Sequence, residues 1–334
     1  MKTQLKTIKL AFRQAVLSHL WRHWKVLGVK ADGSAGGKTY AIDPEPFLLL
    51  SLECAREDPR MFDEIMNWLV VNGQWINTQR LVNLNSEDRL CSINVLGGVA
   101  KVISEHGITN WNAVVARCKE GVQKGEKEAL FRQIGQPVAM RAVHGDEFFE
   151  EFHLYRSKLH LSNKSARIPF DNPENLIFKL RAMFGLNTRA DLIGSLLFSE
   201  SKNAYQLAKH LGFSQRAVLD SLETLVLAGV LVVRRDPRAN VYFLSRKKEF
   251  FALLDIHENM EPLPWRNHCK RLSPLWQGVL DLKEEGMNDY ILNSELRKIF
   301  TTPEPLLTAF GFYPSGSQDG VVLLYAYLRW LNPS

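Results

Sequence analysis

The sequence predicts a mainly α protein: a helical N-terminal region, a compact three-helix unit closed by one β-hairpin, and a helical C-terminal tail. Three observations carry this expectation. Apolar residues recur at three- and four-residue steps along most of the 334 positions, which is the period of a buried helix face. Asp43-Pro44, Asp58-Pro59 and Asn172-Pro173 supply helix starts, because a short polar side chain can cap the first turn and proline fits where an N–H would have no acceptor. Only residues 230–244 set two β-branched runs around a turn.

At 46% hydrophobic and 23% charged, the chain has material for sizeable cores, and its length suggests two or three domains. Cys54, Cys91, Cys118 and Cys269 are widely scattered, so neither a disulfide framework nor a zinc ribbon is indicated. No uncharged apolar run reaches the ~20 residues that span a bilayer, and the charged start lacks the apolar middle of a secretory signal. The expectation is a cytoplasmic protein with no membrane partner and no cofactor.

The net charge of +6 is unevenly placed. Residues 1–31 hold Lys2, Lys6, Lys9, Arg13, Arg22, Lys25 and Lys30 and no acid, while the remaining 35 cations face 36 acids. Leu5, Ile8, Phe12, Leu20, Trp24 and Leu27 make this segment an amphipathic helix over 2–27. Such a helix can lie on phosphate, on an anionic membrane, or against its own protein; Trp21 and Trp24 as anchors favour a packed helix with its cations outside.

The elements then follow in order. Asp32-Gly-Ser-Ala-Gly-Gly-Lys-Thr39 is a loop. A helix runs from Asp43-Pro44 through Ala55, another from Asp58-Pro59 to Gly73, and Asn77 caps a short helix with Leu81 and Leu84. These helices, joined by Gly-containing turns, leave a degenerate helix-turn-helix conceivable within 1–168, although a plain helical bundle is the simpler reading. Residues 86–135 read as further helices, and Phe148, Phe152, Tyr155 and Leu159 fall on one side of another. Residues 163–167 read as a linker. Asn172-Pro173 opens a helix with Leu176, Leu180 and Phe184 inward. The tail, 249–334, alternates helices with breaks at Pro262, Pro264, Pro274, Pro303, Pro305 and Pro314.

Residues 188–244 are the specific constellation. Thr188-Arg-Ala-Asp191 has the form of a capping box ahead of Leu192, Ile193, Leu196 and Leu197. Tyr205-Gln-Leu-Ala-Lys-His-Leu211 forms a second helix ending at Gly212. Ser214 caps a third with Val218, Leu222 and Leu225 on one face, and Gly229 stops it. Val230–Val233 and Val241–Leu244 are strands around a turn at 234–240.

This order resembles the winged helix-turn-helix of bacterial transcriptional regulators of the ArsR and MarR type. The match lies in Leu207-Ala208, Leu211-Gly212, Ser214, Val218, Leu222, Leu225 and Ala228-Gly229-Val230, within a module placed at 172–248. The resemblance implies that the third helix enters the major groove and that the hairpin lies over a neighbouring backbone. Ser214 would cap the recognition helix, and Gln215 and Arg216 would approach the groove. That helix, however, presents Arg216, Asp220 and Glu223 outward, with Leu219 at their side. Two acids depart from the family's polar or basic face, and Arg216 can pair with Asp220 four residues on. The wing differs. Arg234, Arg235, Arg238, Arg246, Lys247 and Lys248 oppose only Asp236 across 234–248, a net of +5 suited to phosphate oxygens.

The sequence holds little chemistry of other kinds. Gly33-Ser-Ala-Gly-Gly-Lys-Thr39 is one residue short of a Walker A loop, and no helix follows at once. His19 and His23 have metal-ligand spacing without an evident third ligand, and read as surface histidines. No Gly-x-Ser-x-Gly or His-Glu-x-x-His occurs. The expectation is a DNA-binding regulator, not an enzyme, with Arg234, Arg235 and Arg238 on phosphates; operator symmetry would call for a homodimer. The competing expectation is an antitoxin-like or scaffold protein that uses the module to hold a protein partner.

Overall fold

The computed structural model describes residues 2–30, 40–122, 126–137, 145–162, 165–199, 201–237, 239–256, 260, 264–301 and 319–332. The protein is mainly helical with small sheets. Its buried apolar side chains form two clusters, one built from residues 5–168 with 265–331 plus Phe178, the other from Leu176 to Ile256.

In the first cluster, α1 (Lys2–Val26) is surrounded rather than laid on a surface. Leu5, Ile8, Phe12, Val16, Leu20 and Trp24 are buried, and so are Lys9 and Arg22. The cations of α1 are therefore partly used inside, which corrects the expectation that they face outward. Lys9 donates to the Leu280 carbonyl at 2.6 Å, Arg13 pairs with Glu57 at 3.1 Å, and Arg22 donates to Asn332 at 2.5 Å. Each bond satisfies a charge whose burial would otherwise cost several kcal/mol.

Around α1 stand α2 (Pro44–Cys54), α3 (Pro59–Asn72), α4 (Thr78–Asp88), α5 (Ile93–Glu105) and α6 (Asn112–Gly121). Asp58 and Asn77 cap α3 and α4 through Met61 N–H and Arg80 N–H, as their positions predict. Asp43 stands at the N-cap position of α2 but makes no cap bond; its carboxylate turns to Arg80.

Two helical expectations fail between 126 and 159. Strands β1 (Glu128–Ala129), β2 (Arg132–Gln133) and β3 (Gln136–Pro137) replace the end of the first. β2 and β3 join through Ile134 and Gly135, both at positive φ (53° and 78°), the backbone of a tight two-residue hairpin. Glu57 holds that turn, accepting from both N–H groups at 2.7 Å. Next, α7 (Glu147–Glu150) lasts one turn, His153 enters the left-handed region (φ 57°), and β4 (Leu154–Tyr155) pairs with β1 in parallel. Phe149, Phe152 and Leu154 are buried by this route, so apolar spacing alone mimicked a helix.

The second cluster is built by α8 (Leu176–Phe184), α9 (Thr188–Leu197), β5 (Lys202–Asn203), α10 (Ala204–Leu211), α11 (Gln215–Leu227), β6 (Leu231–Arg234), β7 (Val241–Leu244) and α12 (Lys247–Leu254). The three strands form an antiparallel sheet in the order β5-β7-β6, with Leu231 opposite Leu244 and Arg234 opposite Val241. Val218, Leu222 and Leu225 bury one face of α11. The capping box expected at Thr188 is absent. Asn187 caps α9, and Asp191 is drawn inward by Arg181 at 2.8 Å. A box does form one helix later, between Asn203 and Gln206.

The tail adds α13 (Trp265–Leu280), α14 (Asp289–Thr301) and α15 (Gly320–Leu331), whose buried faces join the first cluster. Pro274 lies within α13 rather than breaking it. Leu272, Leu275 and Trp276 are buried around it, and that packing outweighs the lost backbone bond. Pro262, Pro303, Pro305, Pro314 and the loop 31–39 lie outside the described residues. Among those described, no helix is long and apolar enough to cross a membrane.

Candidate nucleic-acid interface

Local rules position the side chains singled out from the sequence. Gly212 ends α10 at φ 75°, a backbone that β-carbon-bearing residues rarely take, and this turn sets the start of α11. Ser214 caps α11, its Oγ accepting from Ala217 N–H at 3.2 Å. Ser214, Gln215 and Arg216 are exposed, side by side on the first turn. Gly229 ends the helix at φ 71°, and Ser245 Oγ clamps the base of the ribbon, donating to the Gly229 carbonyl at 2.7 Å.

The ribbon's inner face is buried through Leu231, Tyr242 and Leu244, while Arg234 and Arg235 project into solvent at its open end. Neither forms an ion pair among the described residues. Arg238 lies outside the described residues. Arg246 and Lys248 are exposed, whereas Lys247 is half-buried, 6.0 Å over the Phe251 ring and 3.5 Å from the Ser199 carbonyl. The structure thus brings Arg234 and Arg235 together on one end and holds Ser214, Gln215 and Arg216 on another element. On α11, Asp220, Glu223 and Thr224 face outward, Leu227 is 89% exposed, and Arg216 makes no pair with Asp220 among the described residues.

What lies behind the α10–α11 turn has no local signal in the sequence. Arg80 on α4 donates to the Leu211 carbonyl at 2.6 Å and sits over the Phe213 ring, and Arg266 on α13 bonds the Lys209 carbonyl. Leu84 lies directly beneath Gly212. These cations satisfy the last carbonyls of α10 and fix the turn to the helical body. The body's acids are close at hand, since Arg266 also pairs with Asp88 at 2.6 Å and Glu87 at 2.5 Å.

A buried ion cluster joins the two cores. Glu45 on α2 accepts from Arg80 at 2.5 Å and from Arg181 on α8 at 2.7 Å, and Arg181 reaches on to Asp191. Burial alone would raise the Glu45 pKa; Arg181 and Arg80 outweigh it and bring the carboxyl down to about 2. Asp191 is held above its ordinary value because burial exceeds the pull of Arg181 and Arg80.

His19 and His23 are buried, not on the surface as their spacing beside two tryptophans suggested. His268 joins them, with ring centroids 4.7 Å (His19–His23) and 5.2 Å (His19–His268) apart. Burial depresses all three: His19 well below its usual value, His23 to about 4 and His268 to about 3. Among the described residues, no group of three or more His, Cys, Asp or Glu is arranged to hold a metal ion. No protein-family model, curated protein or solved structure matches the chain.

Proposed function

We propose that the chain is a DNA-binding transcriptional regulator, a binding protein rather than an enzyme, whose residues 172–248 are a winged helix-turn-helix. The reading rests on one observation above all: Arg234 and Arg235 stand exposed and without described carboxylate partners at the end of a β-ribbon that follows a Ser-capped helix. Guanidinium groups so placed suit phosphate oxygens, which supply affinity with little sequence information. The order α9, α10, α11, β6, β7, with β5 as a third strand, supports the family resemblance. Exposed Ser214, Gln215 and Arg216 would approach the groove, with Asp220 and Glu223 limiting how far α11 reads bases. Operator symmetry would call for a homodimer, and the compartment would be the cytoplasm.

The test is the triple variant Arg234→Glu, Arg235→Glu, Arg238→Glu, titrated against duplex DNA over a range of salt. Losing three phosphate contacts should flatten the log K against log salt slope by about 2.7. An unchanged slope and affinity would remove the wing from the interface. A second reading, a module that holds a protein partner in an antitoxin-like or scaffold protein, is favoured by Leu227 at 89% exposure beside Asp220 and Glu223. A stoichiometric protein partner recovered without salt-sensitive DNA retention would favour it.

A further inference from the structure

A cavity of about 340 Å³ lies where the two cores meet, walled by the segment before α2, by α8, α9, β5 and the end of α10, and by the start of α13. That volume falls within the ~300–1,000 Å³ typical of small-molecule sites. Ile42, Leu176, Ile177, Leu211, Phe198 and Trp265 make most of the wall apolar, and the Trp265 indole N–H already donates to the Ala41 carbonyl at 2.7 Å.

Arg80, Arg181 and Lys202 together balance Asp43, Glu45 and Asp191, so net charge selects no ligand. What selects is which polar atoms stay open to the cavity. The acids are closed. Both oxygens of Asp43 accept from Arg80, and Glu45 is fully buried inside the ion cluster. Asp191 Oδ1 accepts from Arg181, and its Oδ2 is buried. The donors are open. Lys202 is half-buried and forms no ion pair among the described residues; its Nζ donates to Ser195 Oγ at 3.1 Å and keeps two further N–H groups. Ser195 accepts that bond, and its own O–H has no acceptor among the described residues. Burial lowers the Lys202 pKa and no carboxylate offsets it. A half-buried ammonium without a counter-ion carries a desolvation cost, which an anion entering the cavity offsets. His210, the other titratable group on the wall, is kept neutral near pH 7, its pKa lowered to about 4 chiefly by burial.

We propose that this cavity binds a compact aliphatic carboxylate, its two oxygens accepting from Lys202 Nζ and Ser195 Oγ and its chain lying against Leu176, Ile177 and Leu211. Two adjacent donors, one of them charged, suit the two oxygens of one carboxylate. The largely aliphatic lining suits an alkyl chain. The site does not rest on the DNA reading, and binding is measured on the full chain without nucleic acid.

The probes are octanoate, octan-1-ol and octylamine, which share one chain and differ in head group, titrated by isothermal calorimetry. Octanoate should bind at one site, at least about tenfold tighter than octylamine. Lys202→Met keeps the apolar stem and removes the ammonium; it should weaken octanoate by about tenfold or more and leave octanol binding nearly unchanged, a split that a merely structural lysine would not produce. Ser195→Phe, which fills the cavity, should abolish binding of both. If Ser195→Phe does not fold, Ile177→Phe takes its place, and circular dichroism establishes that each variant is native. Equal binding of octanoate and octylamine, a Lys202→Met effect that is absent or shared equally by octanol, binding undiminished by the filling variant, or no octanoate binding at 10 mM, about the weakest affinity of interest, would each overturn the proposal.

Discussion

Replacing Glu45 with Gln tests whether one buried carboxylate ties the two cores together. Glu45 is fully buried and receives four hydrogen bonds, two from Arg181, one from Arg80 and one from the Asn77 backbone. Glutamine keeps one carbonyl oxygen and turns an amide N–H₂ toward a guanidinium, so about half the bonds are lost. Two routes give the size of the effect. A carboxyl whose pKa falls from 4.5 to about 2 holds its charged form more tightly by about 3 kcal/mol. Breaking a buried ion pair while leaving its partners buried costs about 3–5 kcal/mol. Glu45→Gln should therefore lower unfolding free energy by about 3–5 kcal/mol in urea. All eight tryptophans lie outside 172–248, so their fluorescence follows the helical body, while far-UV ellipticity follows both cores. Glu120→Gln, at a pair whose side chains are 61% and 66% exposed, is the control and should change almost nothing. A Glu45→Gln loss below about 1 kcal/mol would refute the view that this carboxylate carries its two arginines.

Acid should destabilise the protein earlier than carboxylates alone would. His19, His23 and His268 have depressed pKa values in the folded state, so the unfolded chain binds their protons first; the stability present above pH ~6.5 is lost as pH falls from there toward the folded values. Between pH 7.5 and 5.5 each contributes about 1.4 kcal/mol, about 4 together; a flat stability profile over that window would show that these rings titrate normally. At Gly97, an added Cβ would fall 2.2 Å from the Phe152 ring, so Gly97→Ala should cost about 1–3 kcal/mol by overpacking, read from the same urea midpoint. Wild-type stability would mean that Phe152 has room to move.

Elements set by local chemistry were legible in the sequence. Asp58, Asn77 and Ser214 cap helices where their short oxygens can reach an N–H two or three residues on, and Gly212 and Gly229 end helices at positive φ. The two hairpin strands, β6 and β7, also lie close to their expected bounds. What failed depended on distant residues. Asp191 has the spacing of a capping residue, but Arg181, ten positions earlier, takes its carboxylate inside. Phe148, Phe152 and Tyr155 have helical spacing, yet β4 forms because β1 offers it a backbone ladder. Lys9 and Arg22 look like surface cations until Leu280 and Asn332, some three hundred positions away, supply acceptors. The Arg80–Glu45–Arg181 cluster and the cavity beside it join three or more segments and leave no local signal.

The anchoring of the α10–α11 turn bears on how DNA would be approached. In a free helix-turn-helix unit, the turn and the first residues of the third helix are both open to a groove. Here Arg80 and Arg266 hold the last carbonyls of α10, and Leu84 underlies Gly212, so the back of the turn is occupied by the chain itself. Glu87 and Asp88 accompany Arg266 there, and Asp220 and Glu223 stand on the outer face of α11. The exposed carboxylates Asp220 and Glu223 repel phosphate over about 10 Å at 0.1 M salt. Arg234 and Arg235 are exposed at the end of the ribbon, with Asp236 next to them in the chain. A duplex drawn in by charge would therefore meet the wing first, and α11 would follow only as far as its acids allow. If the proposed function holds, replacing Arg234, Arg235 and Arg238 should flatten the salt dependence of DNA binding, whereas neutralising Asp220 and Glu223 should raise affinity.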